Sequence, residues 1–276
     1  MLYLPAEKLK PGMVVASPVL DFSGEMIADT GCHLNSDNIK KINSFKGAFI
    51  EDDLSKKLIV KDIISNDLRK NTMLNLNNFD LKLIKKSAKD IVDSLVDNSS
   101  LSLDLKDLQS FDDCTYKHSV NVAILSTILG IKMGLKYDDI TDLCLGALLH
   151  DLGKLKIPEE ILNKPGKLNQ LEYSVIKTHP TSSYYLVKNR LDISEESKLA
   201  ILSHHENFNG SGYPLGLKND EIHLLAKIIP VADVYDALTS KRPYKEAYDS
   251  ADALKYLVDN SGFLFDKDVV KTIYNI

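Results

Sequence analysis

The feature that most constrains this fold is the spacing of apolar residues beyond residue 57. In segment after segment, apolar side chains recur at intervals of three and four residues, the period of an α-helix with one buried face. The segments are 58–68, 81–95, 118–133, 140–149, 171–178, 194–208 and 224–238. Because each such helix must cover its apolar face, the pattern predicts a mainly α protein whose larger part is an all-helical domain.

The amino-terminal part of the chain has a different pattern. Short β-like runs at 13–15, 26–28 and 48–50 are separated by Pro-Gly and Ser-Gly turns, with one short helix predicted over 36–44. These features are typical of a small β-rich domain. The asparagine-rich stretch 71–78 has the composition of a connector. We therefore predict a β-rich domain over residues 1–62 and a helical domain over residues 63–276.

Composition narrows the class of protein. A net charge of -5 gives no broad basic surface, so we expect no DNA or RNA polymer as a partner. The three cysteines, Cys32, Cys114 and Cys144, form no CxxC pair, which favours a reducing compartment over a disulfide framework. The chain has no run of about 18 apolar residues, and charges with two prolines among the first residues lead us to expect no secretory signal. We expect a cytoplasmic protein with no membrane segment.

Five of the seven histidines are candidate metal ligands. We interpret His33 and His223 as ordinary surface or packing residues. The other five fall near the ends or on one face of four predicted helices and can meet only through tertiary packing. They are His118, His150, His179, His204 and His205. Imidazoles with a neighbouring carboxylate suit divalent transition metals, and one carboxylate can bridge two ions, so this set favours a two-metal hydrolytic centre.

Four motifs occur in order along the helical domain. They are HDLGK at 150–154, HP at 179–180, HHENFNGSGYP at 204–214 and ADVYDALT at 232–239. Together they resemble the HD-GYP family, part of the wider HD superfamily of metal-dependent phosphohydrolases, with core motifs over residues 111–276. The resemblance implies an all-helical HD-type metallohydrolase domain preceded by the small β-rich domain.

The resemblance also implies a function and a set of ligands. Members of the family hydrolyse the bacterial second messenger cyclic di-GMP, so we expect a phosphodiesterase that yields pGpG through a hydroxide activated by two metals. The sequence leaves open whether a second step gives GMP. Asp151 is expected to bridge the metals and, with Lys154, to act in catalysis. Carried over residue by residue, the implied metal ligands are His118, His150, Asp151, His179, His204, His205 and Asp233.

Substrate contacts are implied at a further set of positions. They are Lys154, Gly212, Tyr213, Ala237, Arg242 and Lys245. Lys154 follows Asp151 by one helical turn and is expected to reach a bound phosphate, while Tyr213 offers an aromatic face for a guanine base. Arginine and lysine at 242 and 245 are expected to hold a phosphate, arginine in bidentate fashion.

Two departures from the family pattern bear on the number of metals and on the loop. Cys114 stands where some members carry a glutamate ligand for a third metal, so we expect two divalent ions, iron or manganese, rather than three. Asn209 stands where the motif has aspartate. Since an asparagine can still hydrogen-bond the loop, we expect an effect on structure rather than a loss of activity.

Alternatives of other functional classes stay open at the level of sequence. The chain is consistent with a catalytically silent receptor for cyclic di-GMP, or with a phosphodiesterase for another cyclic dinucleotide such as cyclic GMP-AMP. The β-rich domain carries no catalytic constellation, and we interpret it as a regulatory element through which the chain forms a homodimer or meets a signalling partner.

Overall fold

The structure is a computed structural model, and it divides the chain into two compact units, Met1–Lys57 and Leu58–Ile276. The residues that it describes are 2–5, 9–15, 19–20, 26–29, 31–42, 47–51, 58–59, 63–97, 103–104, 116–240 and 247–276. The domain boundary that the sequence predicts after residue 62 stays a prediction, because residues 60–62 lie outside these ranges.

The described residues of the first unit form short strands and one helix. Its elements are β1 (Leu2–Pro5), β2 (Val14–Val15), β3 (Val19–Leu20), β4 (Met26–Ala28), α1 (Ser36–Ile42) and β5 (Gly47–Glu51). β5 lies between β1 and β2 and is antiparallel to both, while β3 pairs with β4. A small apolar cluster that includes Val15, Leu34 and Ile42 fills its interior. The short strands predicted for this part of the chain are therefore present.

The second unit is helical. Its helices are α2 (Asn66–Asn77), α3 (Leu81–Val96), α4 (Lys117–Lys132), α5 (Tyr137–Leu149), α6 (Glu159–Leu162), α7 (Gln170–Ile176), α8 (His179–Val187), α9 (Glu195–Ser203), α10 (Leu224–Thr239), α11 (Ser250–Asp259) and α12 (Lys267–Tyr274). A parallel pair, β6 (Leu58–Ile59) with β7 (Leu103–Asp104), completes it, together with 3₁₀ turns at Leu152–Lys156 and Asn219–Glu221. The mainly α fold class is confirmed.

The helices differ in how much of their surface is buried, and the difference follows from their sequences. α3 begins at Asp80, whose carboxylate accepts a hydrogen bond from the Leu83 amide at 3.1 Å, and it buries one apolar stripe. α4 is buried around its whole circumference from residue 119 to residue 130, with mostly apolar side chains. Each Leu or Ile buried in this way contributes about 1.5–3 kcal/mol relative to exposure. α4 is therefore a central helix of this unit.

The packing around α4 fixes where the candidate ligands lie. α5 and α10 pack on α4, α9 packs on α5, α8 and α10, and α8 packs on the 3₁₀ turn Leu152–Lys156. Most of the candidate histidines sit at helix ends, so this packing brings those ends to one place inside the helical unit. Among the described residues, the structure contains no helix long and apolar enough to cross a lipid bilayer.

Two local predictions were wrong. The segment 58–68 is not one helix, because Leu58–Ile59 form a strand and α2 begins at Asn66, after Ser65 caps its first turn. The asparagine-rich stretch 71–78 is not a connector, since most of it forms α2. Asparagine is a weak helix former, but burial of Met73 and Leu76 against the core outweighs that preference.

Candidate metal centre

His118 opens the site from the first turn of α4. Its Nδ1 lies 2.7 Å from Asp236 Oδ2, and its Nε2 lies 2.9 Å from Asp233 Oδ1. The second oxygen of Asp236 accepts a hydrogen bond from Asn121 Nδ2 at 2.8 Å. A carboxylate on Nδ1 fixes the orientation of the imidazole and leaves Nε2 to act as the ligand atom. Asp236 is therefore a positioning residue for His118.

Three other histidines are oriented by the carbonyl group three residues before each of them. The Nδ1 atoms of His150, His179 and His204 lie 2.6, 2.8 and 2.7 Å from the carbonyl oxygens of Ala147, Ile176 and Ile201. This hydrogen-bond network assigns the proton to Nδ1 and the lone pair to Nε2 in each ring. In all three rings, the lone pair on Nε2 is therefore available to bind a cation.

Within the described residues, six of the seven predicted ligands form two groups of three, and Asp233 lies outside both. One, here called the mixed group, contains His118, His150 and Asp151, and the other, the imidazole group, contains His179, His204 and His205. Within each group the ligand atoms lie within 4.8 Å of one another, the spread expected of atoms that share one ion.

Asp151 faces both groups with different oxygens. Its Oδ1 lies 3.3 Å from His179 Nε2, while its Oδ2 lies 3.4 Å from His150 Nε2 and 3.8 Å from His118 Nε2. The carboxylate thus lies between the mixed group, to which it belongs, and the imidazole group. This is the arrangement that a bridging carboxylate requires.

Two observations test whether these residues fit metal ions. His179 Nε2 and His204 Nε2 lie 3.1 Å apart, so two lone pairs point at each other unless a cation or proton sits beside them. In addition, the buried atoms His150 Nε2 and Asp151 Oδ1 find no hydrogen-bond partner within the described residues. Unsatisfied buried acceptors are costly, and a divalent cation in each group would satisfy these four atoms. The residues present fit a metal centre.

The imidazole group is neutral at physiological pH. Burial is the largest cause that lowers the pKa of His179, to about 4, and burial also lowers the pKa of His204 and of His205. Neutral imidazole is the form that binds a metal, so these three residues need lose no proton to do so.

The mixed group is charged, whereas the imidazole group is neutral. Burial acts to lower the pKa of His118, but hydrogen bonds to Asp233 and Asp236 outweigh it and raise that pKa to about 10. Burial acts to raise the pKa of Asp151, yet its electrostatic interactions with His150, Lys154 and His118 hold that pKa well below its usual range. The pKa of Asp233 is likewise lowered, against burial, by its hydrogen bond to His118. Both carboxylates are ionised.

The turn that carries Asp151 is fixed to α8 at very short range. A Cβ atom added to Gly153 would lie 2.1 Å from the His179 carbonyl oxygen and 2.6 Å from the Ser183 amide nitrogen. The Ser183 hydroxyl donates to the His150 carbonyl oxygen and accepts from the Gly153 amide, both at 2.7 Å. Glycine at 153 and serine at 183 therefore set the distance between the two ligand groups.

A buried glutamate holds the loop that follows His205. Glu206 accepts hydrogen bonds from the amides of Leu215, Gly216 and Leu217 at 2.6, 3.1 and 3.0 Å. A Cβ atom at Gly212 would lie 2.3 Å from the Asn207 amide nitrogen, so only glycine fits there. The Gly-Tyr-Pro loop is thus held in contact with Glu206 and Asn207, which directly follow the candidate ligand His205.

Tyr213 lies against the metal centre. Its ring stacks on that of His205, with centroids 4.9 Å apart and planes inclined by 27°. Asn209, which replaces the motif's aspartate, accepts hydrogen bonds from the amide and hydroxyl of Ser211 at 2.9 and 2.7 Å. The asparagine therefore hydrogen-bonds the loop, as its chemistry led us to expect.

The remaining predicted site residues fall into two sets. Lys154 places its ammonium 2.6 Å from Asp151 Oδ2, and Ala237 lies one turn beyond Asp233 on α10. Arg242, Lys245 and Cys114 lie outside the described residues. His33 and His223 belong to neither ligand group, as expected, and His223 instead caps α10.

Sequence reasoning missed the residues that position the ligands. Asp236, Ser183 and Glu206 bind no candidate ion, but each fixes a ligand or a loop beside one. A signal was present for Asp236, which follows Asp233 by three residues on one helix, and for Ser183, which follows His179 by four. Glu206 carried no periodic signal, because its partners lie in a loop.

The helical fold brings together two groups of residues that could each hold a metal ion. The chain belongs to the HD domain family, which it matches over residues 97–269. The relatives described next confirm the resemblance to the HD-GYP branch that the motifs indicated.

Curated relatives match part of the chain. Cyclic di-GMP phosphodiesterase PA4108 of Pseudomonas aeruginosa is 38% identical over 191 residues, which are 67% of this chain and 45% of that protein. The 3'3'-cGAMP-specific phosphodiesterase 1 of Vibrio cholerae is 46% identical over 131 residues, 48% of this chain and 30% of that protein. The chain thus spans less than half the length of these relatives.

A solved structure supports the fold. Bd1817, described as a HDG"Y"P protein from Bdellovibrio bacteriovorus, aligns with a TM-score of 0.60 at 19% identity, covering 99% of this chain and 98% of that one. At this identity the likeness concerns the fold.

Proposed function

We propose that this protein is a metal-dependent phosphodiesterase that opens cyclic di-GMP to linear pGpG, with GMP as the product of a second step. The observation that carries the proposal is the placement of Asp151, whose two oxygens face the two ligand groups. The similarity to named cyclic di-GMP phosphodiesterases supports the choice of substrate.

In this proposal the protein holds two divalent ions. The mixed group with Asp233 would hold one, and the imidazole group the other, with Asp151 shared between them. When bound, such a pair supplies an activated water and positive charge that neutralises the phosphodiester. We propose iron or manganese, which histidine-rich ligand sets with carboxylates accommodate, and two ions rather than three because Cys114 replaces a carboxylate.

The chain's own residues orient the substrate and balance charge. Lys154, which contacts Asp151 at 2.6 Å, places a positive charge at the edge of the centre where an anionic phosphate arrives. We propose that Arg242 and Lys245 bind phosphate, and that Gly212, Tyr213 and Ala237 shape the space for a base. The stacking of Tyr213 on His205 supports its position beside the reacting phosphate.

Cyclic GMP-AMP is a second candidate substrate. The relative from Vibrio cholerae named as specific for 3'3'-cGAMP is more identical to this chain over its matched segment than PA4108 is, 46% against 38%. A cyclic GMP-AMP phosphodiesterase would use the same centre, so the two candidates differ in base recognition and not in the metal ligands.

The test is a side-by-side assay of the purified protein, prepared without oxygen and loaded with iron or manganese. Cyclic di-GMP, cyclic GMP-AMP and simple nucleotides are followed by chromatography, and we expect cyclic di-GMP to be hydrolysed fastest. Faster turnover of cyclic GMP-AMP than of cyclic di-GMP would make cyclic GMP-AMP the preferred substrate. Tight binding of cyclic di-GMP without turnover of any compound would establish a receptor instead.

A further inference from the structure

A lysine between two tyrosine rings lies beside the metal centre and belongs to neither ligand group. The Lys177 ammonium is 5.3 Å from the centroid of the Tyr173 ring and 5.8 Å from that of the Tyr213 ring. Both distances are within the range of a cation–π contact. Lys177 follows the end of α7 and precedes the ligand His179 by two residues, while Tyr213 stacks on the ligand His205. The three side chains therefore adjoin the imidazole group.

The charge of Lys177 is not neutralised by a carboxylate among the described residues, unlike that of its neighbours. Lys154 is 2.6 Å from Asp151, and Lys164 is 2.7 Å from Glu172, whereas the contacts of Lys177 are the two ring faces. A cation–π contact leaves the donor hydrogens of the ammonium without an oxygen or nitrogen acceptor. An acceptor brought by a ligand would complete it.

The aromatic partner on the outer side is accessible. The Tyr173 side chain is 49% exposed, whereas Tyr213 is half-buried with one face covered by His205. An exposed ring next to an ammonium offers a stacking surface together with a hydrogen-bond donor at its edge. This combination suits a flat, acceptor-rich base better than it suits a phosphate, which needs no ring.

We propose that Tyr173 and Lys177 form a guanine subsite, in which the base stacks on Tyr173 and its O6 and N7 accept hydrogen bonds from Lys177. The subsite rests on the proposed function and deepens it by naming what selects the base. Guanine presents two acceptors on this edge, whereas adenine presents one acceptor and an amino group that repels an ammonium. Lys177 is thus a specificity-determining residue rather than a part of the hydrolytic machinery.

The test measures binding, so that it does not depend on turnover. The metal-loaded protein is titrated calorimetrically with hydrolysis-resistant phosphorothioate analogues of cyclic di-GMP and cyclic di-AMP. Lys177→Met is expected to weaken binding of the guanine analogue about tenfold to a hundredfold, the discrimination that a paired base edge provides, and to leave the adenine analogue within about twofold. Lys177→Arg is expected to retain the preference for guanine.

Two further variants separate the parts of the subsite. Tyr173→Leu is expected to weaken both analogues by a similar factor, about fivefold or more, because stacking is tolerant of base identity. Lys188→Met is the matched control, since the Lys188 ammonium also lies over a tyrosine ring, 4.1 Å from the Tyr185 centroid, and neither residue belongs to a ligand group. It is expected to change neither affinity.

The outcomes distinguish this inference from the function on which it rests. Equal weakening of both analogues by Lys177→Met would overturn the guanine subsite in favour of a phosphate contact, and unchanged affinities would also overturn it. A wild-type protein that binds the guanine analogue but hydrolyses no cyclic dinucleotide would refute the proposed activity and leave the subsite to be judged on the binding data. A wild-type protein that binds neither analogue would refute both.

Discussion

The two ligand groups differ in the charge that surrounds them. The imidazole group contains three histidines whose pKa values are lowered, chiefly by burial. The mixed group contains Asp151 and lies beside Asp233 and Asp236, and its His118 has a pKa raised to about 10. One group therefore offers a neutral set of donors, and the other offers negative charge together with a histidine that holds a proton.

In the proposed two-metal centre, this difference would balance the charge of two cations held at short range. If both groups were neutral, nothing would compensate the repulsion between the ions. If both were acidic, the metal-free protein would bury several unpaired carboxylates, which is costly. The carboxylates lie at the mixed group, and Asp151 also faces the imidazole group. Its negative charge would therefore be shared between the two ions. Before metal arrives, His118 carries the compensating proton.

The largest effect is expected from removing the residue that faces both groups. Asp151→Ala is expected to abolish metal loading and to reduce hydrolysis by about 100-fold to 1,000-fold or more, because the charge that both ions share is lost. Metal content by mass spectrometry and turnover of cyclic di-GMP check this, with circular dichroism to show that the fold stays helical. Asp220→Ala, whose side chain projects into solvent, is the control. Full activity in Asp151→Ala would refute a shared carboxylate.

A change in the spacing between the groups should have the next largest effect. In Gly153→Ala the new methyl group would overlap the His179 carbonyl oxygen, so α8 must move away from the turn that carries Asp151. We expect a loss of about 1–3 kcal/mol in the free energy of unfolding, together with weaker metal binding. Denaturant unfolding and metal titration measure both. Gly146→Ala, where the new methyl group meets Ala200 Cβ at 3.3 Å, is the control and should cost less.

A smaller and more selective effect is expected from Asp236→Asn. The variant keeps the shape of the partner of His118 but removes its charge, so metal affinity at the mixed group should fall about 10-fold to 100-fold while the imidazole group keeps its affinity. Titration with manganese or cobalt should then show two unequal steps. Asp259→Asn, an exposed change on α11, serves as the control. Equal weakening at both steps would contradict the division into two groups.

The smallest expected effect is the release of a proton when a metal binds the mixed group. Below pH 10 the metal-free His118 is protonated, so a metal that binds there must displace one proton, and affinity at the mixed group should rise with pH up to that value. The imidazole group, whose pKa values lie below the usual 6.5, should release none at pH 7. Calorimetry in two buffers of different ionisation enthalpy measures the release. His118→Ala should abolish it and His223→Ala should not, and release that persists in His118→Ala would assign the proton elsewhere.

Much of the fold follows from local pattern. The apolar spacing predicts α3, α4, α5 and α10 to within a few residues, because each of these helices is long and has a large buried surface. Apolar spacing fails at 58–68, where a strand and a serine cap decide the boundary. Composition fails at 71–78, where packing of Met73 and Leu76 overrides weak helix formers. Such outcomes depend on partners distant in sequence.

The candidate site, like the fold, was only partly predictable from the sequence. The identities of the histidines and of Asp151 could be proposed from motifs, since those residue types bind metals wherever they meet. The contacts that orient them could not, because Asp236 acts across 118 positions on His118, and Ser183 acts across 33 positions on His150. Helical spacing puts Asp236 near Asp233 and Ser183 near His179, but it does not show which residue of another helix each one contacts. Hydrogen bonds of this kind depend on which helix ends meet.

By itself, the sequence determined the helical class of the larger part, the donor atoms available for metals and the resemblance to the HD-GYP family. The tertiary structure alone decided that those donors form two groups, that Asp151 lies between them, and that their surroundings differ in charge. The physical reason is that side-chain chemistry is local, whereas distance, burial and the pKa values that depend on them arise from the packing of helices far apart in the chain.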